Sequence, residues 1–225
     1  MNECIFLFQI IVVLLFTLGS FRLGKTALGT WICIQALCAN LFVLKQTVLF
    51  GFHVTCSDAF AIGGILSINL LQEHYGIKAA KKTIMPCFYF MLFFALLAQI
   101  HLLYIASPQD STQTAYQAIL SPAPRLFLAS LFTFFVVQRI DIYLFNLMKT
   151  FKPKSSFAIR TFFSLIFSQL LDTILFTFIG LYGLVYSLYD MIFLSFFIKV
   201  LAICVLFPLT CLSKRWIQPK EVLIQ

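Results

Sequence analysis

Seven apolar windows run almost end to end along this chain, near 4–19, 27–45, 47–72, 84–105, 124–148, 161–186 and 190–212. A helix of roughly 20 mostly apolar residues crosses the about 30 Å of hydrocarbon in a bilayer. Hydrophobic residues make up 61% of the 225 and charged residues only 11%, with a mean hydropathy of +0.99. A soluble domain carries about 25% charged residues. Twenty-eight Phe and eight Tyr bring more apolar area than one soluble core of this size can enclose. These features exclude a soluble enzyme, a disordered tail and a nucleic-acid-binding module. They predict an all-α polytopic membrane protein bathed in lipid.

The first window is short for a span. It opens Met-Asn-Glu-Cys, without the positive n-region or small-residue cleavage site of a secretory signal, so an uncleaved helix is expected there. The predicted organisation is an extra hydrophobic segment over 1–24, a transmembrane core over 25–214 and a short tail over 215–225.

The net charge of +8 is explained by where the basic residues lie. Arg22 and Lys25 fall between windows one and two, and Lys78, Lys81 and Lys82 between three and four. Lys149, Lys152, Lys154 and Arg160 fall between five and six, and Lys214, Arg215 and Lys220 follow the seventh. Twelve of the sixteen basic residues thus occupy alternate loops, while the opposite segment 106–123 carries Asp110 and no Lys or Arg. Basic residues accumulate in loops left in the cytoplasm, so the C-terminus is expected inside and 106–123 outside. The seven cysteines are scattered, without a C-x-x-C pair, and read as apolar packing residues rather than a disulfide framework or metal site. No Gly-rich loop followed by Lys-Ser/Thr is present, so any nucleotide energy would come from a partner ATPase.

Charge at membrane depth is costly and therefore marks candidate function. Four residues stand out: Arg139, Asp141, Asp172 and Lys199. At helical rise Asp172 lies about 18 Å in from Arg160, Asp141 about 12 Å from Lys149 and Lys199 about 22 Å from Lys214. Those depths allow one site between windows five, six and seven. Gln138-x-x-Asp141 and Gln169-x-x-Asp172 each present an amide and a carboxylate on one helix face, because residues three apart are neighbours. Ser164, Ser168 and Thr173 extend the polarity of the second face. The plainer alternative is that Asp172 and Lys199 only neutralise each other. Asn69 is a further pocket candidate, deeper than Gln72, Glu73 and His74 at the end of window three. His53 and His74, about 31 Å apart on a continuous helix, form no metal site with His101. No cofactor is expected.

A carboxylate accepts two adjacent N–H bonds, the arrangement on a guanine-type edge, and an amide serves a carbonyl and a ring nitrogen together. Phe and Tyr neighbours stack on a flat heterocycle. A purine-like base would suit such a pocket, although an amino acid, a vitamin or an ion would too.

At these residues the sequence resembles the bacterial queuosine-precursor transporter family, the vitamin-uptake-transporter-like proteins. The resemblance runs from about Ala27 to Leu212. It includes Asn40, Gly51-Phe52-His53, Glu73-x-Tyr75-Gly76, Pro124-Arg125 through Ala129-Ser130, Gln138-x-x-Asp141, Ser168-Gln169-x-x-Asp172-Thr173 and Phe197-Ile198-Lys199-Val200. It implies a six-helix inner-membrane importer of 7-deazaguanine precursors of the tRNA nucleoside queuosine: preQ0, preQ1 and, in some members, queuine. The family often carries Asp where this chain has Asn69, so no proton or ion role carries over there.

The expected substrate-binding set is Asn69, Gln138, Asp141, Gln169, Asp172, Thr173 and Lys199, with Asn40, Glu73, Arg139 and Ser168 behind it. Two alternatives compete with an importer acting alone. One is the substrate-binding subunit of an energy-coupling-factor system; the other is a membrane-embedded enzyme, for which no nucleophile–base spacing exists. A partner ATPase and self-association both stay open.

Overall fold

The computed structural model describes residues 1–151 and 157–216, apart from the side chains at 77, 138, 141–142, 144–151, 157–161, 164 and 206–216. Within those residues the chain is a helical bundle with one small hairpin. Helix α1 (Asn2–Leu23) meets α2 (Lys25–Phe42) at Gly24, whose φ of 113° ends one helix and starts the next. A side chain is strained at that φ, so glycine makes the joint. Gly76, with φ 83°, repeats the device between α3 (Asp58–Tyr75) and α4 (Ile77–Leu102). The short α5 (Gln113–Leu120) lies in the segment free of basic residues and leads into α6 (Ala123–Phe151). Helix α7 (Phe157–Phe176) widens into a π-helical turn, Thr177–Leu181, before α8 (Leu188–Trp216).

The stretch read as one window over 47–72 is not one helix. Its first part is an antiparallel hairpin, β1 (Gln46–Leu49) with β2 (Phe52–Thr55). Phe50 and Gly51 both take positive φ, 51° and 85°, which is what a tight two-residue hairpin turn requires. Leu49 and Val54 point inward and pack with Phe6, Ala59 and Leu194. The 31 Å helical spacing expected between His53 and His74 does not apply, because His53 sits on a strand.

Helix α3 is the centre, touching α1, α2, α4 and α8. Ile62, Leu66, Leu70 and Leu71 meet Phe21, Leu28, Ile32, Ala80 and Ile84 in the main core. Apolar residues elsewhere, such as Phe8, Phe93, Leu96 and Phe193, face outward. That surface suits lipid. Among the described residues, four stretches are long and apolar enough to cross a membrane: Asn2–Leu23, Lys78–Leu102, Gln113–Val137 and Leu188–Val205, with a shorter apolar one at Leu165–Leu181.

Helix α1 is built into this bundle. Phe21 and Thr17 are fully buried, and Thr17 Oγ1 accepts from Trp31 Nε1 at 2.8 Å. At its start Asn2 donates to Thr47 Oγ1 (3.0 Å) and the Val48 carbonyl (3.2 Å), while Glu3 accepts from Phe50 N (3.2 Å). The hairpin therefore rests on α1. Two of the cysteines are not scattered in space: Cys33 Sγ of α2 and Cys87 Sγ of α4 lie 2.7 Å apart.

At the same end as the hairpin, whose Gln46 bonds Leu184 and Tyr186, Arg125 donates to the carbonyls of Ile179 (3.0 Å) and Tyr182 (2.8 Å). A π-helical turn disrupts the regular i→i−4 ladder, and Arg125 supplies partners to oxygens at its exit.

Candidate functional site

A cavity of about 330 Å³ opens among α2, α3, α4, α6, α7 and α8, with the end of β2 at its rim. Its size lies at the lower end of the roughly 300–1,000 Å³ typical of small-molecule sites. Phe60, Phe88, Phe134 and Phe176 supply flat apolar wall, and Phe88 and Phe134 are tilted against each other with centroids 4.4 Å apart.

Against that wall stand the polar groups. Lys199, 7% exposed, donates to Asp172 Oδ2 and to Thr173 Oγ1, each at 3.0 Å. Thr173 passes its own hydrogen to the Gln169 carbonyl one turn back, at 2.8 Å. Two adjacent residues of α7 thus hold one ammonium of α8. One turn before Lys199, Ser195 Oγ donates to Asp58 Oδ1 at 2.6 Å. Asp58 is only 6% exposed and is the first residue of α3, where the helix N-terminus favours a negative charge. Beside it Thr55 and Ser57 share a hydrogen bond of 2.7 Å.

Helix α2 lines the opposite side with two amides. Gln35 donates to Ser67 Oγ at 3.2 Å and Asn40 to the Ala36 carbonyl at 2.9 Å, which uses their N–H groups locally. Asn40 Oδ1 is left buried without a donor. Gln35 Oε1 is also without one and lies against Gly63, where any Cβ would collide with it.

Of the residues expected from the sequence, Asp172, Thr173, Lys199 and Asn40 line the cavity together. Gln169 contributes its carbonyl to Thr173 from behind. Ser168 and Asn69 are buried away from the lining, Asn69 with its Nδ2 unpaired. Glu73 ends α3 away from the cavity, and Arg139 is exposed on α6. The side chains of Gln138 and Asp141 lie outside the described residues. Asp58, Ser195 and Gln35 are not among the residues that sequence depth singles out. The rule that selects Asp172 would reach Asp58 too, since it falls inside the 47–72 window; nothing in the sequence marks Ser195 as its partner.

A family model described as "Putative vitamin uptake transporter" matches residues 59–213, which run from α3 through α8. The chain belongs to that family. A curated "Probable queuosine precursor transporter" of Bacillus subtilis (strain 168) is 34% identical over 176 residues, 76% of each chain. No solved structure matches the chain. As a member of the vitamin uptake transporter family this is a membrane transporter and not an enzyme. The matched span holds Asp172, Thr173, Ser195 and Lys199, while α1, α2 and Asp58 precede it.

Proposed function

We propose that this transporter imports queuosine precursors, 7-deazaguanine bases such as preQ0, preQ1 or queuine, across the cell inner membrane for use in tRNA modification. The observation that carries the reading is the cavity itself. It combines aromatic walls with carboxylate, amide and ammonium groups, the set that a flat, hydrogen-bonding heterocycle requires. The name of the Bacillus subtilis relative points the same way.

In this reading the family's six helices form the carrier and α1 is an addition to them. The basic loops and the C-terminus face the cytoplasm, and 106–123 faces out. Asp172 and Thr173 orient Lys199, whose remaining N–H is available to a carbonyl oxygen of the base. Asp141 and Gln138 of α6 and Gln169 of α7 belong to the same recognition set, with Asn69 behind it. Alternating access around a fixed site near the midplane moves the substrate, as in other carriers.

The test is uptake of labelled preQ0, preQ1 and queuine by a host that lacks other salvage routes and any ATPase partner. Uptake that depends on this chain alone supports the importer. Uptake that appears only with an added energy-coupling ATPase moves the assignment to a substrate-binding subunit. Uptake of none of the three removes the reading.

A further inference from the structure

Among the described residues, three ionisable side chains line the cavity: Asp58, Asp172 and Lys199. Lys199 is ion-paired with Asp172 at 3.0 Å and its charge also acts on Asp58, so one ammonium serves two carboxylates. Asp58 is the more buried of the two, and among the described residues it has no ion pair and one hydrogen bond, from the neutral Ser195 hydroxyl. The N-terminal turn of α3 tolerates an anion there but brings only a fractional charge. A buried carboxylate left in that state is unfavourable until a cation or a proton reaches it. The unpaired Asn40 Oδ1 on the same cavity asks for another N–H donor. The site therefore has acceptors and negative charge to spare.

We infer that the cavity selects a base bearing a protonated amine, with Asp58 as the counter-ion of that amine. The inference rests on the transport reading above and narrows its substrate class. A 7-deazaguanine with an aminomethyl arm brings a positive charge, since an alkylamine like that of Lys is protonated at neutral pH. One with a nitrile arm brings an acceptor and no charge, which leaves Asp58 and Asn40 as they are. The phenylalanine wall adds to the preference, because aromatic faces attract ammonium groups.

The test compares two ligands on the full-length protein in lipid nanodiscs: the aminomethyl base and its neutral isostere with an ethyl arm. The amine ligand should bind wild type about tenfold tighter or more, the gain typical of a charged hydrogen bond. In Asp58→Asn that ratio should collapse toward one, whatever happens to either affinity. A wild-type ratio under about twofold, or a full ratio retained in a well-inserted Asp58→Asn, overturns the inference. The wild-type ratio decides alone should the variant fail to reach the membrane. Equal binding of both ligands removes only the counter-ion and leaves the transport reading standing. Binding of neither ligand removes both.

Discussion

The Ser195 hydroxyl reaches Asp58 Oδ1 across 2.6 Å and joins residues 137 apart in sequence. One turn further along α8, Lys199 engages Asp172. A single face of one helix thus holds two carboxylates from two other helices. That spacing of four on α8 is the frame on which the candidate site is built.

The Asp172–Lys199 pair yields the sharpest expectation. Asp172→Asn keeps the size of the group but presents N–H where an acceptor stood, costing on the order of 1–3 kcal/mol, or ten- to a hundredfold in affinity. Lys199→Met leaves Asp172 without its partner and should lower uptake or insertion. The double variant, Asp172→Asn with Lys199→Met, is expected to insert well and remain inactive in labelled-base uptake. Restored uptake in the double variant would mean that the pair is a structural staple.

Deletion of 1–24 should reduce the amount of protein in the membrane and its melting temperature, because buried Phe21 and Thr17 leave the core. Uptake per inserted molecule should persist, since no residue of α1 lines the cavity. Normal membrane levels with no uptake would contradict this.

Gly63→Ala should destabilise the bundle by about 1–3 kcal/mol, the usual cost of overpacking. Its methyl group would meet Gln35 Oε1 and Val13 in the contact of α3 with α2 and α1. Thermal unfolding in detergent reads the effect; an unchanged melting temperature would show that the contact gives way freely. At Gly64 nothing stands in the way of a Cβ, so Gly64→Ala serves as the neighbouring control.

Labelling of single cysteines in a background without the natural ones tests the orientation. A cysteine at Ser111 should react with an impermeant reagent from outside and one at Ser155 should be protected. The reverse pattern would invert the topology.

The helical bundle was legible because membrane helices satisfy their own backbone and leave a plain record in hydropathy. The joints at Gly24 and Gly76 fall among the basic residues that mark the loops. The intramembrane cost of charge was enough to single out Asp172 and Lys199. The hairpin at Gln46–Thr55 was hidden for a physical reason. A run such as Val48, Leu49, Phe50 and Phe52 has the same hydropathy as strand or helix, and only the backbone at Phe50 and Gly51 decides. Asp58 lies inside that same apolar run, so the cost of intramembrane charge reaches it as it does Asp172; its contact with Ser195 depends on how α8 lies against α3. The Cys33–Cys87 contact and the Gln35–Ser67 bond depend on how α2 lies against its neighbours, and no local pattern encodes that.

Arg125 has a meaning in time as well as in space. It precedes by 54 residues the first of the two carbonyls it serves, at Ile179 and Tyr182. Synthesis runs from the N-terminus, so the start of α6 is laid down before the wide turn at Thr177–Leu181 leaves the ribosome. The donor is waiting when those oxygens arrive. Arg125→Ala should therefore be felt first as a delay in the assembly of α7 and α8 on the helices already made, before any loss in the finished protein.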